Sequence, residues 1–260
     1  MKFCNLLRET SEEISDVQGL YVLYKRLKKT LKRAAQCQAT GEVEEASRLQ
    51  LEFVTDLRNC IREINDRFIE QEEQRVIDMG NLEESAAHAQ TITSCQQVIQ
   101  RLADFQGQIL LFIHSSMLGL TALFKILKKY SKKTGSEMEE FQRERLAEMP
   151  ISRTEIMSST VKKVEILIER LTARQVQLRS DAGESSEPPG PPESPHEQSV
   201  NVPTLLSQVR VALYTWEQLR TTSATPSTVM AVHLATFSIP SVSGSVSVSS
   251  HSSSVKSDSA

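Results

Sequence analysis

Between residues 42 and 79 apolar side chains recur every three or four positions: Ala46, Leu49, Phe53, Leu57, Ile61, Ile64 and Phe68. Arg, Glu and Gln fill most of the places between, and no Pro or Gly interrupts until Gly80-Asn81. This spacing predicts one amphipathic helix of about ten turns, broken by Gly80-Asn81. A helix of that length must bury its apolar stripe against a partner, and with no alternating strand pattern except S-V-S-G-S-V-S-V at 241–248 that partner is expected to be helical. The next long helical region, from residue 82 or 89 to 133, supplies that partner. Gly107 and Gly119 lie within it, and Gly135 is a natural C-terminal stop. Two long helices joined by a tight break lie antiparallel.

The flanking segments fit the same architecture. Residues 1–14 read as a short helix with Phe3, Leu6, Leu7 and Ile14 as its apolar contacts, followed by a turn at D-V-Q-G, residues 16–19. A second helix, 20–38, carries Leu20, Leu23, Leu27, Leu31 and Ala34 on one side and Lys25, Lys28, Lys29, Lys32 and Arg33 on the other. Thr40-Gly41 ends it. Pro150 opens another helical stretch, 152–178, with Val161, Val164, Ile168 and Leu171 as its stripe. The fold class expected over residues 1–175 is therefore all-α: an N-terminal helical hairpin packed on two long antiparallel helices, resembling a three-helix bundle. Residues 180–200, rich in Pro, Glu and Ser, cannot bury a core and read as a disordered linker. Residues 201–222 return to helix, with Pro203 near its first position and Leu206, Val209, Leu213, Trp216 and Leu219 as its stripe. The remainder, 223–260, reads as a disordered tail, with eleven serines in residues 241–260.

One run, residues 109–124, contains no Asp, Glu, Lys or Arg. It falls short of the roughly 20 residues a membrane span needs and includes His114, Ser115, Ser116 and Thr121, so it reads as the buried central helix of a soluble protein. The opening residues meet charge too soon for a signal peptide. Cys4, Cys37, Cys60 and Cys95 form no C-x-x-C and have no His at ligand spacing, which fits reduced thiols rather than a disulfide framework or a zinc site.

The strongest chemical feature is residues 123–133, L-F-K-I-L-K-K-Y-S-K-K. On a helix, Lys125, Lys128, Lys129, Lys132 and Lys133 occupy one arc of about 140°, and Leu123, Phe124, Ile126, Leu127 and Tyr130 fill the opposite arc. Neighbours three or four apart lie about 5–6 Å from each other, and no Asp or Glu occurs between Asp104 and Glu137 to offset the repulsion. Two readings follow. Lysines near a helix C-terminus complement its dipole and can simply be solvated, or the cluster binds a polyanion. The net charge of −3 argues against a general nucleic-acid coating protein. A hairpin packed beside the long helices could bring Tyr24, Lys28 and Lys29 against Lys125, Lys128, Lys129 and Lys132. Such a convergence suits a small, densely phosphorylated ligand.

Several blocks resemble the SPX domain family: M-K-F-C-N-L-L-R at the start, Y-K-R-L-K-K-T-L-K at 24–32, D-F-Q-G-Q-I-L-L at 104–111, T-A-L-F-K-I-L-K-K-Y-S-K-K-T-G at 121–135, and P-I-S-R-T-E-I-M-S-S-T-V-K-K-V-E at 150–165. They fall in the family's order over residues 1–175. Residues 212–228 and F-S-I-P at 237–240 are similar, more loosely, to the tail of stand-alone plant-type members. No transporter, kinase, polymerase or RING segment follows the domain in this sequence. The resemblance implies a receptor for inositol polyphosphates and pyrophosphates that reports phosphate status in the nucleus or cytoplasm. Its ligand would be held by Tyr24, Lys28 and Lys125, within a surface of Lys128, Lys129 and Lys132 and with Lys2 nearby. It also implies ligand-dependent capture of a MYB-type phosphate-starvation transcription factor, with no cofactor. The sequence departs from the family at Ser131, commonly Asp, at Thr121-Ala122, usually Thr-Gly, and at S-S-M-L-G-L, 115–120, which replaces an Asn-rich segment.

Two other classes remain open at the level of residues. A basic helix can read phosphoinositide headgroups as a membrane adaptor, and residues 42–79 could dimerise as a coiled-coil scaffold. Enzymatic activity is not expected. No phosphate loop, nucleophile elbow or H-E-x-x-H occurs, and the K-T-G at 133–135 sits in a helical rather than a β-lactamase context.

Overall fold

A computed structural model describes residues 3–135, 145–153, 155–181 and 202–222, and the described residues contain helices and no strand. The Pro/Glu/Ser segment expected at 180–200 lies outside them apart from Ser180 and Asp181, which are helical, and the tail at 223–260 lies outside them. Helix α1 (Phe3–Glu13) and helix α2 (Ser15–Thr40) form the N-terminal hairpin. Helix α3 (Val43–His88) and helix α4 (Ile92–Thr134) are the two long helices. A single 3-10 turn (Pro150–Ser152) leads to helix α5 (Glu155–Asp181), and helix α6 (Val202–Thr222) ends the described chain.

The hairpin corner differs from the sequence expectation. Asp16–Gly19 is not a turn: these residues form the first turn of α2, where Asp16 faces the positive end of the helix dipole. The chain leaves helical geometry only at Ile14, φ −115° and ψ 104°. Ile14 and Val17 are both buried, so the apolar stripe of α2 starts a turn earlier than Leu20 and carries the helix with it. The far end of α2 closes at Gly41, whose φ of 81° suits a residue without Cβ. There the Glu42 N–H donates to the Cys37 carbonyl at 2.9 Å, as in a Schellman cap.

A second correction concerns Gly80-Asn81, which does not break α3. The helix continues through both residues and delivers Met79, Leu82 and Ala86 to the core. A mid-helix glycine costs about 1 kcal/mol, less than the burial of one large apolar side chain contributes, about 1.5–3 kcal/mol. The break falls instead at residues 89–91. Thr91 accepts the Ser94 N–H at 3.1 Å and Ser94 Oγ accepts the Thr91 N–H at 3.0 Å, a capping box that fixes the start of α4. From α5, Arg174 donates to the carbonyls of Ala86 and Ala89 at 3.3 and 2.9 Å. It thereby satisfies acceptors that the end of α3 leaves open.

The long helices run antiparallel. Phe53 stacks on Tyr130 and Phe68 on Phe112, with centroids 4.9 and 5.0 Å apart, so contacts move up one helix as they move down the other. Helix α4 is the hub: it packs against α2, α3, α5 and α6. Every residue from 111 to 124 is buried except Ser115, which is half-buried. The helix is long and apolar enough to cross a membrane, but 78% of its most apolar window is buried inside the bundle. An all-round apolar helix at the centre of other helices needs no lipid. The stripe of α3 is spent in the same core, through Ala46, Leu49, Phe53, Leu57, Ile61 and Phe68, and so is unavailable to a coiled-coil partner.

Helix α6 packs on α1 and α4 through Leu205, Ala212 and Leu219, whereas Leu206 and Leu213 of the expected stripe are exposed. The buried hydroxyls of Thr10 and Thr215 lie 3.2 Å apart, and Gln208 donates to the Glu13 carbonyl at 3.1 Å. Gly107 permits the close approach: a Cβ there would lie 3.1 Å from Leu205 Cδ2.

Candidate functional site

The end of α4 sorts its side chains as the helical wheel requires. Leu123, Phe124, Ile126, Leu127 and Tyr130 are buried, and Lys128, Lys129, Lys132 and Lys133 are exposed. Lys132 and Lys133 occupy the last turn before Gly135, beside the negative end of the dipole. Lys125 differs from the other four in being half-buried. Burial, reinforced by the charges of Lys128 and Lys129, holds its amine below the usual lysine range.

On α2, Lys25, Lys28, Lys29 and Lys32 are exposed while Tyr24, Leu27 and Leu31 are buried. Lys25 is directed elsewhere, 5.6 Å over the ring of Tyr21. Tyr24 lies on the buried side of α2. Only 2% of it is exposed, because the first turn of α1 covers it. Burial, with a smaller contribution from Cys4, pushes its phenol well above the ordinary range, so the hydroxyl stays protonated and keeps a hydrogen to donate.

What joins the two helices is Phe3. Its ring meets Tyr24 edge to face, with centroids 5.3 Å apart at 82°, and the Lys125 ammonium lies 5.2 Å from its centroid. Phe3, Tyr24 and Lys125 thus form one cluster drawn from α1, α2 and α4, with the charges of Lys128 and Lys129 acting on it. Lys28 stands one helical turn beyond Tyr24 on the exposed side of α2. No ring contact or hydrogen bond among the described residues ties Lys28 or Lys132 to the cluster. Lys2 lies outside the described residues. The sequence reading missed Phe3 as anything more than a core contact of α1. An aromatic residue near the N-terminus carries no signal of what it meets 21 and 122 positions later.

Among the described residues the ion pairs are Arg26–Asp56, Arg48–Glu45, Arg67–Glu63, Arg75–Asp78 and Lys163–Glu83. None takes Lys28, Lys128, Lys129 or Lys132. With Ser131 in place of a carboxylate, the α4 face carries no internal counter-charge. A cavity of about 60 Å³ lies between α2, α3, α4 and the 3-10 turn, lined by Leu20, Ile64, Phe68, Phe112, Ser115 and Ile151 among others, but no lysine borders it. Of the departing segment S-S-M-L-G-L, Ser115, Ser116 and Gly119 line this space. The four thiols are free, Cys60 and Cys95 buried and Cys4 and Cys37 half-buried.

No family model matches the chain. It is 28% identical over 191 residues to SPX domain-containing protein 2 of Arabidopsis thaliana, covering 66% of each chain. It is 29% identical over 194 residues to SPX domain-containing protein 3 of Oryza sativa subsp. indica, covering 71% of this chain and 69% of the relative. With SPX domain-containing protein 6 of Oryza sativa subsp. japonica the identity is 30% over 171 residues, 65% of this chain and 69% of that protein. The matches thus span about two thirds of each relative's length. Since blocks scattered over the sequence fold into one helical bundle and that degree of identity persists across it, the chain belongs to the SPX-domain protein family.

Proposed function

We propose that this protein binds inositol polyphosphates and pyrophosphates on the basic face of α2 and α4 and so reports cellular phosphate status. The observation that carries the reading is the clustering of Tyr24 and Lys125 around Phe3, beside exposed lysines on both helices. A half-buried ammonium crowded by two like charges gains more from a phosphate than a solvated one does, because the ligand removes the repulsion as well as adding a contact. Hydrogen bonds to charged groups contribute about 1.5–3 kcal/mol each, and association costs at least about 4 kcal/mol. Six contacts therefore suffice for roughly micromolar binding, near −8 kcal/mol. Lys28→Ala combined with Lys125→Ala is expected to weaken binding of inositol hexakisphosphate about 100-fold or more with far-UV circular dichroism unchanged. Wild-type affinity in that variant would place the ligand elsewhere.

The same face is the proposed regulator of a partner. A polyanion bridging α2 and α4 favours the arrangement in which both lysine rows face it, and that differential affinity shifts the population. The partner we assign is a helical segment of a MYB-type phosphate-response transcription factor, held with help from α6 and released when phosphate is low, in the nucleus or cytoplasm. Capture of such a segment from solution is expected with inositol pyrophosphate and not without it. Equal capture in both conditions would leave a constitutive scaffold. In neither role does the protein act as an enzyme.

A further inference from the structure

We propose that Phe3 is a positioning residue for this site, its ring contacting both the Lys125 ammonium and the Tyr24 ring and so holding Lys125 in the geometry that receives the ligand. The inference rests on the binding reading above and adds to it a residue that bears no charge. Phe3 is only partly buried, and its two ring contacts are directional. It meets Tyr24 edge to face at 5.3 Å and 82°, an arrangement the aromatic quadrupole favours. The ammonium of Lys125 lies within the roughly 6 Å over which a ring attracts a cation, at 5.2 Å from the centroid.

The charges around Lys125 give this contact its purpose. Lys128 and Lys129 follow it by three and four residues and repel it. A lysine side chain is long and flexible, with four rotatable torsions to order when ligand arrives. The ring supplies a fixed attraction on the side of α1, so the ammonium is ordered over Phe3, whose other ring contact is Tyr24, before binding. Ordering a side chain in advance raises affinity by lowering what association costs. A leucine would fill similar volume without the quadrupole, which separates positioning from packing.

The test uses the full chain and inositol hexakisphosphate as probe, with calorimetric titration of wild type, Phe3→Leu and Phe3→Tyr, each also combined with Lys125→Ala. Phe3→Leu is expected to bind about tenfold more weakly, Phe3→Tyr to bind like wild type, and Phe3→Leu to have no further effect once Lys125 is alanine. A second measurement needs no variant to fold: in the unliganded wild type, the ring current of Phe3 should shift the ε-methylene protons of Lys125 upfield. Wild-type affinity in Phe3→Leu, equal weakening with and without Lys125, or an unshifted methylene signal would each overturn the positioning role while the binding reading stands. Wild-type protein that does not bind the probe would overturn both.

Discussion

Phe53→Ala is expected to destabilise the bundle by about 3–5 kcal/mol. Phe53 is fully buried on the long α3 helix, and its ring stacks on Tyr130 with centroids 4.9 Å apart and planes within 6°. Truncation removes the transfer free energy of the ring and leaves a cavity that two long, rigid helices close only in part. It also removes an aromatic pair that contributes about 0.5–1.5 kcal/mol beyond its area. Since a domain has only about 5–15 kcal/mol in total, the loss is a large share. The consequence extends to the basic face, because Tyr130 lies on α4 between Lys129 and Lys132 and loses its stacking partner. Denaturant unfolding should show a lower midpoint at unchanged slope, and ligand affinity should fall with it. A loss below about 1 kcal/mol would mean that α3 and α4 do not meet in this register.

Acidification should unfold the protein in part through one side chain. His114 is 3% exposed in the middle of α4, its Nε2 has no hydrogen-bond partner among the described residues, and burial pushes its pKa down to about 4. In the unfolded chain it titrates near 6.5. Between those values the unfolded state binds the proton and the folded state does not, so stability falls as pH is lowered. The contribution of the neutral ring is fully present above about pH 6.5 and is lost on the way down to about pH 4, where both states are protonated. The shift is worth about 3 kcal/mol. Carboxylates contribute their own pH dependence equally to a His114→Leu variant, so the comparison isolates this group. Wild type should lose about 3 kcal/mol more than His114→Leu between pH 7 and pH 4. Parallel profiles would show that His114 takes up its proton in the folded state without opening the core.

Which features were legible in the sequence follows from which forces are local. The three-and-four spacing from Ala46 to Phe68 is a property of one helix, and it foretold both the element and its buried side. The lysine arc at 125–133 was equally plain. Two misreadings share a cause. Gly80-Asn81 and D-V-Q-G are local turn signals, but Met79, Leu82 and Ala86 on one side, and Ile14 and Val17 on the other, have places in the core that outweigh glycine's backbone cost. The true break at 89–91 depends on Thr91 and Ser94 capping each other, and Ser at that position is a weaker signal than Glu or Gln. The cluster of Phe3, Tyr24 and Lys125 was only half visible. Two of its residues were recognisable by type and by resemblance. The third is defined solely by how α1 packs, which no spacing within one helix encodes.

Calorimetric titration of the full chain with an inositol pyrophosphate tests most directly whether the basic face of α2 and α4 is the proposed receptor for a small polyphosphate. Saturable one-to-one binding in roughly the micromolar range, weakening steadily as salt is raised, is the predicted result. No heat of binding, or an affinity indifferent to salt, would contradict it.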